Sequence, residues 1–417
     1  MSSLAFSVLF VVFFVLTLGL RFWLANRQIR HVLRHRASVP AEFAPKVSLE
    51  THQKAADYTV AKTRFGIAAL LWGGLVLVGF TLLGGLQALS NALLPLAGPG
   101  MTHQLLLVAA FAVLSAVLDL PFEYYRQFVL EERFGFNKMS VKLWIADGIK
   151  GAAVGAVIGL PLLWVVLTLM ESTGSLWWFW TWLVWSGFQL LMMVLYPSVI
   201  APLFNKFTPL SDESLKSRIE GLMARVGFAS KGLFVMDGSR RSAHGNAYFS
   251  GFGAAKRIVF FDTLIERLAP HEIEAVLAHE LGHFKLRHID TRMVVMFALS
   301  LALLAYLKEQ SWFYTGLGVT PLLDGPNDAM ALLLFMLVLP IFTFVFGPLS
   351  AITSRKHEFE ADAFAAKHSD AGYLISALVK MYEDNASTLT PDPLHSAFYD
   401  SHPPASVRIA HLNGAQA

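Results

Sequence analysis

An all-α membrane protein of seven transmembrane helices, with a small α+β unit between the fifth and sixth, is the fold class this sequence predicts. Three observations carry it. Of 417 residues, 55% are hydrophobic and only 15% charged, whereas soluble domains carry about 25% charged residues. Seven stretches approach the roughly 20 apolar residues that cross a bilayer as a helix. The longest polar interval mixes helical with strand-like spacing. The chain divides accordingly into 1–202 with five spans, a polar unit at 203–292, spans six and seven within 293–351, and a C-terminal segment at 352–417.

The spans are expected at 4–24, 65–86, 105–125, 152–170, 176–197, 293–307 and 329–351, the sixth being short. No positive segment precedes the first, while Arg21, Arg27, Arg30, Arg34 and Arg36 end or follow it. That order reads as an uncleaved anchor and not as a signal peptide. The first loop adds Lys46, Lys54, Lys62 and Arg64, and the next, Ser90 to Gln104, has no Lys or Arg. The third carries Arg126, Arg133, Lys138, Lys142 and Lys150, the fourth only Glu171, and the fifth is long and rich in Lys and Arg. The sixth sets Lys308 against Glu309, Asp324 and Asp328, and Arg355 and Lys356 open the tail. Alternating positive loops agree with seven spans and place the polar unit and the tail on one, cytoplasmic, side. Within that unit, 213–226 has helical spacing, "LFVMD", "AYFSGF" and "RIVFFD" read as strands, and 271–290 reads as a second helix.

Net charge is only +3, with no long basic run, so a nucleic-acid partner is not expected. There are no cysteines, which excludes disulfides, thiolate metal sites and a cysteine nucleophile. The partners expected are a lipid bilayer and a peptide or lipidated protein.

The second polar helix holds "HELGH". His279 and His283, four apart, share a helix face and can bind one metal, and Glu280 then lies where a water would be activated. A catalytic zinc needs a third protein ligand and an open position. Downstream candidates are His288, Asp290, His357, Glu358, Glu360 and Asp362. His288 lies five residues past His283, about 140° off the face of the pair. "SRKHEFEADAFAAKH" offers the better set, with Glu358 and Asp362 at i and i+4. One carboxylate can bind metal, and the other can accept a ligand histidine's ring N–H. Two spans separate the motifs, so both return to the same membrane face.

With these motifs stand "LPFEYYRQFVLEERFGFNK" (120–138), "YPSVIAPLFNKFTPL", "GNAYFSGFGAAKRIVFFDTLI" and "DSHPPASVRI". Together they resemble the type I CAAX prenyl proteases, integral-membrane zinc endopeptidases of the gluzincin type. The resemblance implies seven tilted helices around a chamber, with one zinc on His279, His283 and Glu358. It implies Glu280 as general base and Asp362 behind a ligand histidine. Asn246, and Tyr248 beside it, match the edge strand that pairs with substrate backbone. His402 matches a position near the substrate, and His402 or Arg408 can serve as donor to the oxyanion. The short loops point to a bacterial inner-membrane protein with its site facing the cytoplasm, or to the endoplasmic reticulum if the source is eukaryotic. Two alternatives follow: a quality-control protease for damaged membrane proteins, and a transporter or scaffold with a degenerate site.

Overall fold

The structure, a computed structural model, describes residues 1–228, 230, 232–250, 257–286 and 301–414. Helix α1 (Ser3–His35) and α2 (Leu49–Phe80) open the chain. Ser2 and Ser48 precede them, and each side chain accepts a free amide of the first turn, from Ala5 and Thr51. The chain then departs from the expected loop after span two. It turns at Gly84 (φ +76°) into a further helix, α3 (Gly85–Ala97). A Cβ on Gly85 would lie 2.6 Å from the Gly79 carbonyl oxygen, so only glycine permits so tight a corner. Leu86, Leu89 and Leu93, at helical spacing, pack into the bundle core. The apolar content of 65–86 therefore spans a corner that hydropathy alone does not show.

Helix α4 (Met101–Tyr125) passes through a π-helical turn, Arg126–Glu131, into α5 (Glu132–Phe134), which ends at Gly135 (φ +83°). Helix α6 (Val141–Ser172) starts behind Ser140, whose Oγ accepts the Leu143 amide. Helix α7 (Trp177–Leu195) likewise passes through a π-helical turn, Tyr196–Ile200, into α8 (Ala201–Phe204). Its second residue is Pro197, which lacks the amide that a regular helix needs there.

The polar unit runs β1 (Phe207–Pro209), α9 (Glu213–Val226), β2 (Leu233–Met236), β3 (Ala247–Ser250), β4 (Arg257–Phe261), α10 (Asp262–Arg267) and α11 (Pro270–Lys285). The three expected strands form, though residues 251 and 252 of "AYFSGF" lie outside the described residues. β1 was not expected. The sheet order is β1-β2-β4-β3; β2 and β4 are parallel, the outer pairs antiparallel. Among the described residues, β3 is thus an edge strand. The chain continues with α12 (301–307), α13 (Ser311–Thr315), α14 (Asp328–Thr343), α15 (Gly347–His368), α16 (Ala371–Asp384), α17 (Pro393–Tyr399) and α18 (Ala405–Gly414).

Among the described residues, 6 helical runs are long and apolar enough to cross a membrane: Ser3–His35, Leu49–Phe80, Met101–Phe134, Val141–Ser172, Gly174–Phe204 and Asp328–His368. Most of the expected sixth span, 293–300, lies outside the described residues, and its end is α12. The runs exceed the expected spans because their ends continue as polar helix. One core joins Phe10, Leu107, Leu167, Phe313 and Leu334 of the bundle. A second joins Ile219, Phe260, Leu277, Leu374 and Leu412. Segments 203–292 and 352–417, read separately from sequence, therefore share one core.

Candidate active site

The site is built on α11 and α15. Helix α11 starts with Pro270, whose missing amide would have had no partner there. The Glu272 carboxylate accepts from the Ala269 amide (2.7 Å), the Ser376 hydroxyl (2.7 Å) and the Lys380 ammonium (2.7 Å). Burial alone would raise the Glu272 pKa; these donors outweigh it and hold the carboxyl below its usual range. Glu274 takes Arg218 and Arg225 of α9 at 2.9 and 2.6 Å. The helix is thus tied to its neighbours at its start, leaving its later turns to present the histidines.

Gly282 sets how closely the two helices approach. A Cβ there would lie 3.0 Å from the Ala361 Cα and 3.1 Å from the Phe364 Cβ. With glycine on one helix and alanine on the other, the backbones meet, and Glu358 and Asp362 reach the histidines. Sequence reading passed over Gly282; its signal was a small residue between two candidate ligands.

Among the described residues, His279, His283 and Glu358 form the one group of metal-ligating side chains whose ligand atoms all lie within 4.8 Å of one another. The Nε2 atoms of His279 and His283 are 3.2 Å apart. His283 Nε2 lies 3.1 Å from Glu358 Oε1, and His279 Nε2 lies 3.4 Å from Glu358 Oε2. A tetrahedral zinc with bonds of about 2.0–2.1 Å has ligand-to-ligand edges of about 3.3 Å, so the spacing fits the ion. Glu358 Oε2 is buried without a hydrogen bond, an acceptor that a cation would satisfy.

Asp362, 0% exposed, lies 2.9 Å from His279 Nδ1 through Oδ1. With the ring proton donated there, the Nε2 lone pair faces His283 and Glu358. Burial disfavours the charged imidazole, but Asp362 and Glu358 outweigh it and raise the His279 pKa. Arg408, from α18, donates through Nε to Asp362 Oδ2 (2.9 Å) and through Nη2 to Oδ1. Burial opposes its charge, and Asp362 more than restores it. The same Nη2 lies 3.3 and 3.5 Å from the two nitrogens of His279, against the ring.

Arg408 is 6% exposed. Its fork onto Asp362 makes it a support for His279, and its remaining nitrogen, Nη1, lies 3.8 Å from Glu358 Oε2. His402 occupies the open side. Its ring Nε2 is 3.3 Å from Glu358 Oε1 and its side chain is 61% exposed. It lines a cavity of about 450 Å³ with Tyr58, Lys62, Tyr382 and Asn385. Glu280 is half-buried between its flanking histidines. Asn246 is exposed just before β3, and its backbone oxygen accepts the Phe261 amide at 2.9 Å. Tyr248 packs edge-on against Phe261, with its hydroxyl 4.0 Å from the Met236 sulfur. Its side chain lies across the sheet. His288 and Asp290 lie outside the described residues. Glu360 is 3.7 Å from Lys356 on its own helix.

Residues 28–206 match a family described as CAAX prenyl protease N-terminal, five membrane helices, and 209–416 match peptidase family M48. The CAAX prenyl protease 1 homolog of Arabidopsis thaliana is 36% identical over 397 residues, covering 90% of this chain and 91% of its own. CAAX prenyl protease 1 of Saccharomyces cerevisiae is 36% identical over 409 residues, with 90% and 88% covered. The crystal structure of S. mikatae Ste24p superposes with a TM-score of 0.91 at 33% identity, over 98% of both chains. The quality-control alternative is not favoured by relatives of this extent. The chain belongs to the CAAX prenyl protease family within peptidase family M48, and is a multi-pass membrane metalloendopeptidase.

Proposed function

We propose that this chain holds one zinc on His279, His283 and Glu358 and cleaves peptide bonds near the C-terminus of prenylated or extended membrane-associated chains. The observation carrying this is the His279–His283–Glu358 group, whose Nε2 atoms lie 3.2 Å apart and 3.1 and 3.4 Å from the two Glu358 oxygens, beside a half-buried Glu280. A bound zinc supplies Lewis acidity and lowers the pKa of water toward about 7. The protein supplies the rest. Glu280 accepts a proton as water oxygen attacks the scissile carbonyl carbon. It returns that proton to the amine nitrogen as the C–N bond breaks. His402, exposed beside Glu358, donates to the developing oxyanion. Asp362, gripped by Arg408, fixes the tautomer of His279.

An extended peptide adds as a strand along β3, with Asn246 at its start. Backbone pairing of this kind gives affinity with little demand on side chains. The relatives' designation as CAAX prenyl proteases supports a prenylated substrate. The lysine- and arginine-rich loops support a site on the cytoplasmic side, and the short loops support a bacterial inner membrane. The test is cleavage of a farnesylated CAAX peptide by purified protein. Cleavage should stop on chelation and return with zinc; cleavage untouched by chelation contradicts the reading.

A further inference from the structure

The stretch 120–138 takes no part in the chemistry above, yet it ends against the chain that enters β3. The Ala243 amide donates to the Phe136 carbonyl (3.1 Å), and the Lys138 amide donates to the Arg241 carbonyl (3.2 Å). Asn137 and Ser242 form an antiparallel bridge. Two residues beyond Ser242, His244 stands between two elements. Its Nε2 is 3.5 Å from Glu131 Oε2, and its Nδ1 is 3.0 Å from Asn385 Oδ1 at the end of α16. The other Glu131 oxygen accepts the hydroxyl of buried Tyr58 from α2, at 2.7 Å. The Phe136 ring lies over the imidazole, with centroids 4.3 Å apart and planes 18° apart. The His244 carbonyl accepts from the Thr263 hydroxyl at 3.0 Å.

We infer that His244 is a positioning residue: held by Glu131, Phe136 and Asn385, it sets β3 relative to the membrane helices and so sets where substrate backbone lies. The physical argument is one of leverage. Among the described residues β3 is an edge strand, held on one side by β4 alone. A strand paired along one edge only leaves the backbone groups of its other edge unpaired, so contacts at its ends add to what holds it in place. Its leading end is fixed two residues before Asn246 by a side chain with a partner on each ring nitrogen. Tyr58 and Asn385 also line the cavity that reaches His402. The same contacts therefore tie the strand to the cavity wall.

This rests on the reading of β3 as the substrate strand, and the test separates the two. Full-length protein in detergent is compared as wild type, H244A, E131Q and the double variant. Amide hydrogen exchange over 247–250 and steady-state cleavage of a farnesylated CAAX peptide are both measured. Exchange should quicken over 247–250 in both single variants while α11 amides are unchanged. KM should rise about tenfold, with kcat within about twofold and zinc content unaltered. The double variant should lose no more than the worse single one, because both substitutions break one latch. Unchanged exchange in both variants overturns the inference, as does a fall in thermal midpoint with KM intact. If wild type fails to cleave, the proposed function fails, and the exchange data still decide the latch.

Discussion

The α11–α15 pair and the outer faces of the bundle obey opposite rules. In and against the pair, charge is buried: His279, Glu358 and Asp362, with Arg408 of α18 upon them, are 5%, 4%, 0% and 6% exposed. In the bundle, apolar surface is exposed: Leu4, Leu75 and Val157 are 75%, 68% and 74% exposed. A buried charge holds only with partners in place, so each member of the pair depends on the others. An exposed apolar side chain on a membrane helix needs only lipid. Substitutions should therefore be costly at the helix pair and nearly silent on the bundle's outer faces.

The largest effect is expected at Glu280. E280Q keeps shape and removes the base, so turnover should fall by about two to four orders of magnitude with zinc retained. Near-normal turnover would take Glu280 out of the chemistry. D362N comes next. It leaves His279 Nδ1 without its carboxylate and breaks the Arg408 fork, so zinc affinity should weaken about 10- to 100-fold, measured by competition with a chelator. G282A forces a methyl against Ala361 and should destabilise the polar unit by about 1–3 kcal/mol in chemical unfolding. A neutral outcome would show that α11 and α15 can part without cost. V157A should shift stability by about 0.5 kcal/mol or less. A large loss there would mean that the position faces protein and not lipid.

How much of this was legible follows from where each signal sits along the chain. The histidine pair reads directly, because residues four apart share a helix face. Glu358 and Asp362 read for the same reason, and the hairpin between the motifs explained how distant segments meet. Arg408 was named, but its grip on Asp362 was not. It contacts His279 across 129 positions, and no spacing rule reports which of two nearby carboxylates a distant guanidinium will grip. Helix α3 was missed because Gly84 and Gly85 turn an apolar run without interrupting its hydropathy. The shared core of 203–292 and 352–417 was missed because strand and helix patterns describe local faces and not the partner each face meets. The His244 contacts join three segments far apart in sequence, and each residue looks unremarkable in its own stretch.

The central claim is that three side chains converge on one metal ion. The most direct measurement is zinc per chain in purified E358A beside wild type and E280Q, by elemental analysis after exhaustive dialysis. The account predicts one zinc in wild type and in E280Q, and loss of most of it in E358A. Full occupancy in E358A would contradict it and move the third ligand elsewhere on the chain.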